Sequence, residues 1–178
     1  MNNREREYIF ADLPDIGYST DIDTVMASSY QVKKQLQQIV KIEQPITNTL
    51  LYKRILRIWN LTRVTTRLQV FIDNLLEDAY KDPLSGDTII YWEDEEKAKD
   101  CDFYRINSKR DILDIPILEV MSAARYAIEQ QISMPTEDLK RLTSQLLGFS
   151  RKGNNLDMVT EQTIQLLIDQ GIFSHANG

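Results

Sequence analysis

The sequence predicts a mainly α (α+β) fold of two tandem winged-helix-like units, the first with a β-hairpin wing and the second mostly helical. Three observations support this prediction. A stretch that begins at Pro45 recurs in degenerate form from Pro135. Each copy has the pattern of a short amphipathic helix, a tight turn and a longer amphipathic helix, which is typical of a helix-turn-helix. Two strand-like runs, residues 88–92 and 102–106, follow the first copy.

From Leu51 to Arg63 the first copy of the repeat matches the second at one offset of 88 residues. Apolar positions match apolar positions, and the turn of each copy ends in a hydroxyl residue followed by arginine. The matched pairs include Leu51/Leu139, Ile58/Leu146, Leu61/Phe149 and Arg63/Arg151. Beyond the turn we expect a small insertion in the second copy, after which Ile72 matches Ile164. Such a duplicated helical unit indicates a recognition or assembly module more than an active site.

The first part of the chain predicts an arm followed by one long helix. Residues 1–20 place aromatic and apolar side chains among Asp, Pro and Gly, which favours an extended arm. Asp21, Asp23 and Thr24 can cap a helix that runs to about Lys41, because a short polar side chain accepts from the free N–H groups of a first helical turn. Apolar residues at helical spacing then form one buried stripe along this helix.

The first helix-turn-helix follows Pro45. Thr47 or Asn48 caps its first helix, which buries Leu51 and Ile55, and we expect Thr62 to cap the second. The apolar stripe of that second helix has clear i, i+4, i+7 spacing. It consists of Val64, Leu68, Phe71, Ile72 and Leu75.

The strand-like runs at residues 88–92 and 102–106 predict the wing, with an acidic loop between them. We therefore assign residues 1–107 to the arm plus the first winged-helix-like unit, and residues 108–178 to the second helix-turn-helix-like unit. The remaining length after the second copy leaves no room for a full wing.

The second unit predicts three helices. Pro116 and Pro135 suit the first turns of two of them, since proline lacks the N–H that a first turn leaves free. Gly148 is expected at the end of the second helix, and Asn154 or Asn155 caps the third.

Catalytic and cofactor-binding patterns are scarce, so we expect no enzyme, no catalytic residue, no cofactor and no metal. The chain has one histidine, His175, and one cysteine, Cys101, which are too few for a zinc site or a nucleophilic triad. The order Asp87, Glu95, Lys97 imitates the ligand set of Mg²⁺-dependent nucleases. Those residues lie in a run of charges, which favours a solvated loop; a metal-dependent nuclease is the third hypothesis.

The composition favours a cytoplasmic protein without a membrane partner. No apolar run approaches the ~20 residues of a membrane span, and the single cysteine fits a reducing compartment. The net charge of −6 argues against a protein coated in nucleic acid. The charge is uneven, however, because residues 44–72 contain five basic side chains and no acidic one.

This basic segment is the candidate nucleic-acid site. A helix-turn-helix inserts the start of its second helix into the major groove, where arginine and polar side chains meet phosphates and base edges. On a helical wheel the charged residues of the segment avoid the apolar stripes. The candidate residues are Lys53, Arg57, Thr62, Arg63, Thr66 and Arg67. The alternative interpretation is a solvated helix face that forms ion pairs with the acidic loop.

Several segments together resemble a known family. They are Tyr8–Ala11, Val40–Ile46, Asp102–Tyr104, Ile115–Glu119 and Leu147–Arg151. This set resembles an uncharacterised domain of unknown function found at the C-terminal end of large bacterial superfamily I DNA/RNA helicase-like proteins, often beside a restriction-endonuclease-like domain. The resemblance implies a helicase-associated role and transfers no catalytic residues.

The sequence therefore leads to one main functional hypothesis and one rival. The first is a non-catalytic accessory domain of a helicase-like DNA-metabolism or defence protein, which contacts DNA through the basic face of the first helix-turn-helix. Its expected partners are DNA and the helicase or nuclease domains of the parent polypeptide. The rival is a protein–protein docking module without nucleic-acid contact. In both cases the second copy of the repeat is expected to be structural.

Overall fold

The computed structural model describes residues 2–131 and 134–174, which form a mixed, mainly helical structure with two small sheets. The helices are α1 (Ile22–Ala27), α2 (Ser29–Glu43), α3 (Asn48–Ile58), α4 (Thr66–Leu75), α5 (Glu95–Lys99), α6 (Ile117–Glu129), α7 (Thr136–Leu146) and α8 (Asn154–Asp169). The strands are β1 (Glu5–Glu7), β2 (Ile46–Thr47), β3 (Tyr80–Lys81), β4 (Ile90–Trp92) and β5 (Tyr104–Ile106).

The chain divides into two compact units. The N-terminal unit is Ile9–Asp100, and the C-terminal unit combines Met1–Tyr8 with Cys101–Gly178. This division differs from the boundary expected after residue 107, because β1 pairs in parallel with β5. That pairing assigns both strands to the C-terminal unit. Local sequence patterns do not reveal a contact between segments so far apart in the chain.

The N-terminal unit packs its helices against a three-stranded antiparallel sheet. The sheet order is β2-β4-β3, with Ile46 opposite Tyr91 and Tyr80 opposite Trp92. The core between α2, α3 and α4 is fully apolar at its centre. Its buried members include Val32, Leu36, Leu51, Ile55, Leu68 and Ile72. The predicted single helix up to Lys41 is interrupted at Ser28, where α1 ends and α2 begins.

The predicted hairpin between residues 88–92 and 102–106 is wrong, although both runs contain a strand. β4 pairs with β2 and β3, whereas β5 pairs with β1 in the other sheet. The antiparallel hairpin of the N-terminal unit is instead β3–β4. The acidic run folds as the short helix α5, capped by the Asp94 side chain. The strand-like runs located these two strands, but the partner of a strand depends on long-range packing.

The C-terminal unit packs α6, α7 and α8 together with the parallel pair of β1 and β5. Its apolar core includes Tyr104, Ile115, Val120, Leu147 and Leu156. A 3₁₀ turn, Ile112–Asp114, leads into α6, and Pro116 precedes that helix directly, as predicted. Pro135 and Gly148 flank α7 as predicted, whereas α8 begins at Asn154 after Gly153, which provides no side-chain cap.

The internal repeat is visible in the positions of the helices. The starts of α2, α3 and α4 recur 88 residues later as the starts of α6, α7 and α8. The insertion expected after the turn is therefore wrong: α8 is longer than α4 at its C-terminal end, and the turn itself has the same length in both copies. Buried positions follow this register as well, since Leu68 corresponds to Leu156 and Leu76 to Ile164.

The two turns also share their backbone geometry. Asn60 ends α3 with φ 47°, and its counterpart Gly148 ends α7 with φ 89°. The next residue in each copy donates its N–H to a carbonyl five residues earlier, Leu61 to Leu56 and Phe149 to Ser144, both at 2.9 Å. A left-handed residue followed by such a bond is the Schellman end of a helix. Each unit thus contains the same helix-turn-helix.

Candidate nucleic-acid interface

The first part of the candidate interface is the outer face of α3. Thr47 caps this helix by accepting from the Leu50 N–H at 3.3 Å, as the sequence predicted. Leu51 and Ile55 are fully buried on one side. Lys53 and Arg57 are exposed on the other side, one helical turn apart. The helix is therefore amphipathic, as the helical wheel predicted: its apolar side faces the core, and its two cations point away from the core.

The second part is the turn and the beginning of α4. Thr65, not Thr62, caps α4, because its hydroxyl accepts from the Leu68 N–H at 3.2 Å. The predicted cap at Thr62 is wrong by three residues: both threonines have the right chemistry, but Thr65 has an extended backbone directly before the first helical residue. Thr62 and Arg63 thus lie in the turn. All six residues proposed from the sequence are exposed: Lys53, Arg57, Thr62, Arg63, Thr66 and Arg67.

The electrostatic surroundings of these cations differ. Arg67 forms an ion pair of 2.7 Å with Asp23 of α1, and both side chains are more than half exposed. The Arg57 guanidinium lies 5.8 Å from the Phe10 ring centroid. Within residues 2–131 and 134–174, Arg63 has no ion pair. An exposed pair such as Arg67–Asp23 contributes at most ~1 kcal/mol, so an anionic ligand can compete for the guanidinium.

The fifth basic residue of the segment, Arg54, is not part of the exposed surface. It is buried and pairs with the fully buried Glu43, whose carboxylate also accepts from the Ala11 N–H at 3.0 Å. The Phe10 ring covers the Arg54 guanidinium at 3.3 Å. Arg54 therefore stabilises the fold of the N-terminal unit. Arg54 lies three residues after Leu51 and four before Ile58, which are both buried. This helical spacing is the signal in the sequence that separates it from Lys53 and Arg57.

Asp73 is the single acidic residue of α4, and two tyrosines bind it. The Tyr52 hydroxyl donates to the Asp73 carboxylate at 2.8 Å, and the Tyr91 hydroxyl lies 3.4 Å from it. Burial raises the pKa of both tyrosines, and the charge of Asp73 raises it further. The phenols therefore remain neutral donors. This contact keeps the carboxylate on the side of α4 that faces α3 and β4, and sequence reasoning missed it because it joins three separate elements.

The outer face of α4 continues beyond the basic residues. Val70 is 54% exposed, and Asn74 is exposed one turn further on. Thr66, Val70 and Asn74 follow each other at four-residue spacing, so they form one stripe along the helix with Arg67 beside it. The stripe offers a hydroxyl, an apolar group and an amide, which are the groups that contact base edges in a major groove.

The large aromatic residues do not contribute to this surface. Trp59, Trp92, Tyr52 and Tyr104 could stack on bases in principle, but each is at least 95% buried. Trp92 donates its indole N–H to Asp82 at 2.9 Å, and Trp59 donates to Gln35 at 2.8 Å. All four therefore pack in the interior of the protein.

The nuclease-like pattern is dispersed over exposed positions. Glu95 and Lys97 lie on α5 rather than on a buried strand; Lys97 pairs with Glu93, and Glu95 pairs with Lys99 at 3.5 Å. Asp87 is exposed in the β3–β4 connection. Across the described part of the chain, no group of three or more His, Cys, Asp or Glu side chains is arranged to hold a metal ion. His175 lies outside the described residues.

A second buried carboxylate organises the C-terminal unit. Glu119 is fully buried; it accepts two bonds from the Arg110 guanidinium at 2.8 and 2.9 Å and one from the Arg105 N–H at 3.0 Å. Arg105 also pairs with it through its side chain. Burial alone would raise the pKa of Glu119, but the two guanidiniums lower it to about 2. The Tyr8 ring lies over both guanidiniums, at 5.0 and 4.4 Å.

The comparisons with known proteins agree with an uncharacterised domain. Residues 26–70 match a family described as a protein of unknown function (DUF3320). The matched range includes α2, β2, α3, the turn and the beginning of α4, and therefore most of the candidate interface. It confirms the resemblance to a domain of unknown function. No curated protein and no solved structure matches the chain. In the described ranges, every helix is too short or too polar to cross a membrane.

Proposed function

We propose that this chain is a non-catalytic accessory domain of a bacterial, cytoplasmic helicase-like protein of DNA metabolism or defence. In this proposal the N-terminal unit contacts DNA through Lys53, Arg57, Thr62, Arg63, Thr66 and Arg67. The other partners are the helicase or nuclease domains of the parent polypeptide. The helicase context is supported by the sequence resemblance, and the DNA contact is supported by the surface described above.

The order of elements supports a winged-helix interpretation of the N-terminal unit. It runs α2, β2, α3, α4, β3, β4, with β4 at the centre of the sheet. This helix, strand, helix, helix, strand, strand order with the last strand in the middle is that of a winged helix, and β3–β4 occupies the position of its wing. Under this interpretation α4 is the recognition helix, which enters the major groove with its N-terminal end. The C-terminal unit is the second, mostly helical copy.

The observation that carries the proposal is the composition of the exposed α3–α4 surface. It combines four cations and two hydroxyls, all exposed, on the two helices of a helix-turn-helix. Guanidinium, ammonium and hydroxyl groups are the side chains that contact phosphates. The only acidic residue of α4 is Asp73, and the tyrosines hold it away from this face. Asp23 reaches this surface through its pair with Arg67.

Salt-dependent binding to duplex DNA tests the proposal. Each cation that neutralises a phosphate steepens the slope of log K against log salt by about 0.9. Fluorescence anisotropy of the full chain with a labelled duplex, measured across a salt series, gives this slope. Arg63→Glu with Arg67→Glu removes two contacts, so the slope should become shallower by about 1.8. The affinity at low salt should fall as well.

Lys34→Glu with Lys41→Glu is the matched control, because both lysines are exposed on α2 and the change in net charge is the same. The control should keep most of the affinity and the full slope. An equal loss in both double variants would indicate an effect of net charge alone and would contradict a defined interface. Unchanged binding in the Arg63 and Arg67 variant would refute the DNA contact.

A docking module without nucleic-acid contact is the second candidate function. It is favoured by large exposed apolar side chains in the N-terminal unit, such as Ile9 at 66% and Tyr30 at 75%. A docking module predicts a stable complex with the remainder of the parent polypeptide in the absence of DNA. Tyr30→Ser should weaken that complex, whereas Arg63→Glu should not.

A further inference from the structure

The correspondence between the two helix-turn-helix copies includes their exposed residues as well as their buried residues. We call the exposed α3–α4 residues of the N-terminal unit the first surface. Their counterparts at the offset of 88 residues, on α7, the following turn and α8, form the second surface. The pairs are Lys53/Arg141, Arg57/Gln145, Thr62/Ser150, Arg63/Arg151, Thr66/Asn154, Arg67/Asn155, Val70/Met158 and Asn74/Gln162. All sixteen side chains are exposed.

The chemistry of several pairs is the same. The turn carries a hydroxyl and then an arginine in both copies, Thr62 with Arg63 and Ser150 with Arg151. The outer face of the first helix has a cation in both, at Lys53 and Arg141. The fold does not require these matches, because substitutions at exposed positions usually change stability by less than ~0.5 kcal/mol. A shared ligand chemistry explains them.

The stripe along the second helix is also matched. Val70 and Met158 are exposed apolar residues at equivalent positions, 54% and 56% accessible. Asn74 and Gln162 place an amide one turn further on in each copy. An exposed apolar side chain between polar ones has no role in either core. In a major groove it can contact a thymine methyl group, and the amide can contact adenine.

The charges of the second surface show which of its cations are available. Lys140, beside this surface, pairs with Glu137, Asp157 and Glu161, and Arg141 pairs with Asp138 at 2.7 Å. By contrast, Arg151 and Lys152 form no ion pair in the described part of the chain. Together with Ser150 they line an open cleft of about 570 Å³ between α7 and α8.

We infer that the second surface is a further contact site for the phosphate backbone of duplex DNA, with Arg151 and the neighbouring Lys152, whose counterpart is Val64, as the main cations. The inference rests on the proposed function of the first surface, because it assigns the same ligand to the equivalent residues. In the described part of the chain Arg151 and Lys152 form no ion pair, whereas the first surface carries four exposed cations, of which Arg67 pairs with Asp23. The second surface therefore makes the smaller contribution to affinity, and the C-terminal unit has a binding role in addition to a structural one.

The experiment compares charge-neutralising variants of the full chain. Arg151→Gln with Lys152→Gln removes Arg151 and the adjacent Lys152, and leaves Arg141 with its partner Asp138. Arg6→Gln with Lys109→Gln is the control, since both residues are exposed in the same unit and the loss of charge is equal. Anisotropy with the same labelled duplex is measured from 50 to 200 mM salt. Far-UV circular dichroism verifies that all variants retain their helices.

The second-surface variant should have a slope shallower by about 1.8, so that wild type loses about 12-fold more affinity than the variant over this salt range. The control should keep the wild-type slope. If the slope changes only with Arg63→Glu and Arg67→Glu, the first surface binds DNA and this inference is wrong. If wild type does not bind the duplex at all, the proposed function is wrong and the inference falls with it.

Hydrogen–deuterium exchange of the unmodified chain gives a second readout that needs no variant. Addition of the unlabelled duplex should slow exchange in residues 150–155 and 158–162 as well as in residues 62–70. Protection of residues 62–70 alone would overturn the inference even if the variants fail to fold. Protection of both segments would support two contact surfaces.

Discussion

The buried ion-pair network around Glu119 makes a quantitative prediction about the stability of the C-terminal unit. Glu119→Gln keeps the size of the side chain and removes its charge. The buried Arg105 and Arg110 then lose the carboxylate to which both are bonded. Loss of the carboxylate removes the charge that offsets the desolvation of the two buried guanidiniums. Removal of one partner from such a buried pair typically destabilises a protein by 3–5 kcal/mol.

The pKa of Glu119 gives a second value and a pH dependence. Burial opposes its charge, but the two arginines outweigh burial and lower the pKa from 4.5 to about 2. Since one pKa unit corresponds to 1.36 kcal/mol, the shift of about 2.5 units corresponds to about 3 kcal/mol of stability. A carboxylate with a lowered pKa provides this stability above its unfolded-state pKa. The contribution is lost as the pH falls from 4.5 towards 2.

Urea unfolding at pH 7 and at pH 3 measures both the loss of stability in Glu119→Gln and its dependence on pH. The free energy of unfolding of Glu119→Gln should be about 3 kcal/mol below wild type at pH 7, and the difference should shrink by about 2 kcal/mol at pH 3. Glu129→Gln, in the same helix α6, is the control. Its carboxylate is 56% exposed and pairs with Arg4, so its loss should cost at most ~1 kcal/mol.

Far-UV circular dichroism is the appropriate probe for these titrations. Trp59 and Trp92, the two tryptophans of the chain, both lie in the N-terminal unit, so their fluorescence reports that unit. A difference below ~1 kcal/mol at pH 7, or one that stays constant down to pH 3, would refute the reasoning. Either result would mean that water or rearranged side chains compensate the arginines.

Two further predictions concern the turns and α4. Gly148→Ala should destabilise the C-terminal unit by about 1 kcal/mol in thermal unfolding, because φ 89° is unfavourable for a side chain, whereas Asn60→Gly at φ 47° should be neutral or slightly stabilising; equal effects at both sites would contradict this. Asp73→Asn should lower the pKa of Tyr52 and Tyr91 in an alkaline absorbance titration, but leave it above its ordinary value because burial is the larger cause; an unchanged titration would contradict the contact.

Local chemistry made much of the helical structure predictable. Thr47 accepts from a first-turn N–H as a cap should, Pro135 precedes α7, and Gly148 has the positive φ expected at a helix end. Each of these signals depends on residues within one helical turn. The same local signals could not choose between Thr62 and Thr65, since both threonines precede a polar residue and an apolar stripe. The break at Ser28 likewise has no strong signal in the sequence.

The sheets and the ion pairs were not predictable in this way. β1 consists of Glu-Arg-Glu, which has low strand propensity, and it forms because β5 offers a parallel edge nearly 100 residues later. For the candidate interface, the helical wheel predicted the exposure of Lys53 and Arg57. It could not reveal the pairing of Arg67 with Asp23, which depends on the position of α1.

The repeat provides a way to separate residues that serve the fold from residues that serve binding. Matches such as Leu68/Leu156, and the left-handed pair Asn60/Gly148, follow from packing and backbone geometry, so they carry no functional information. The exposed pair Arg63/Arg151 is not explained by core packing or by backbone geometry. In this molecule the buried ion pairs do not follow the repeat, since residue 131 rather than Glu119 corresponds to Glu43. The two units therefore stabilise their cores by different charged residues, but their exposed turns are similar. This combination is expected if both copies keep the exposed turn for binding.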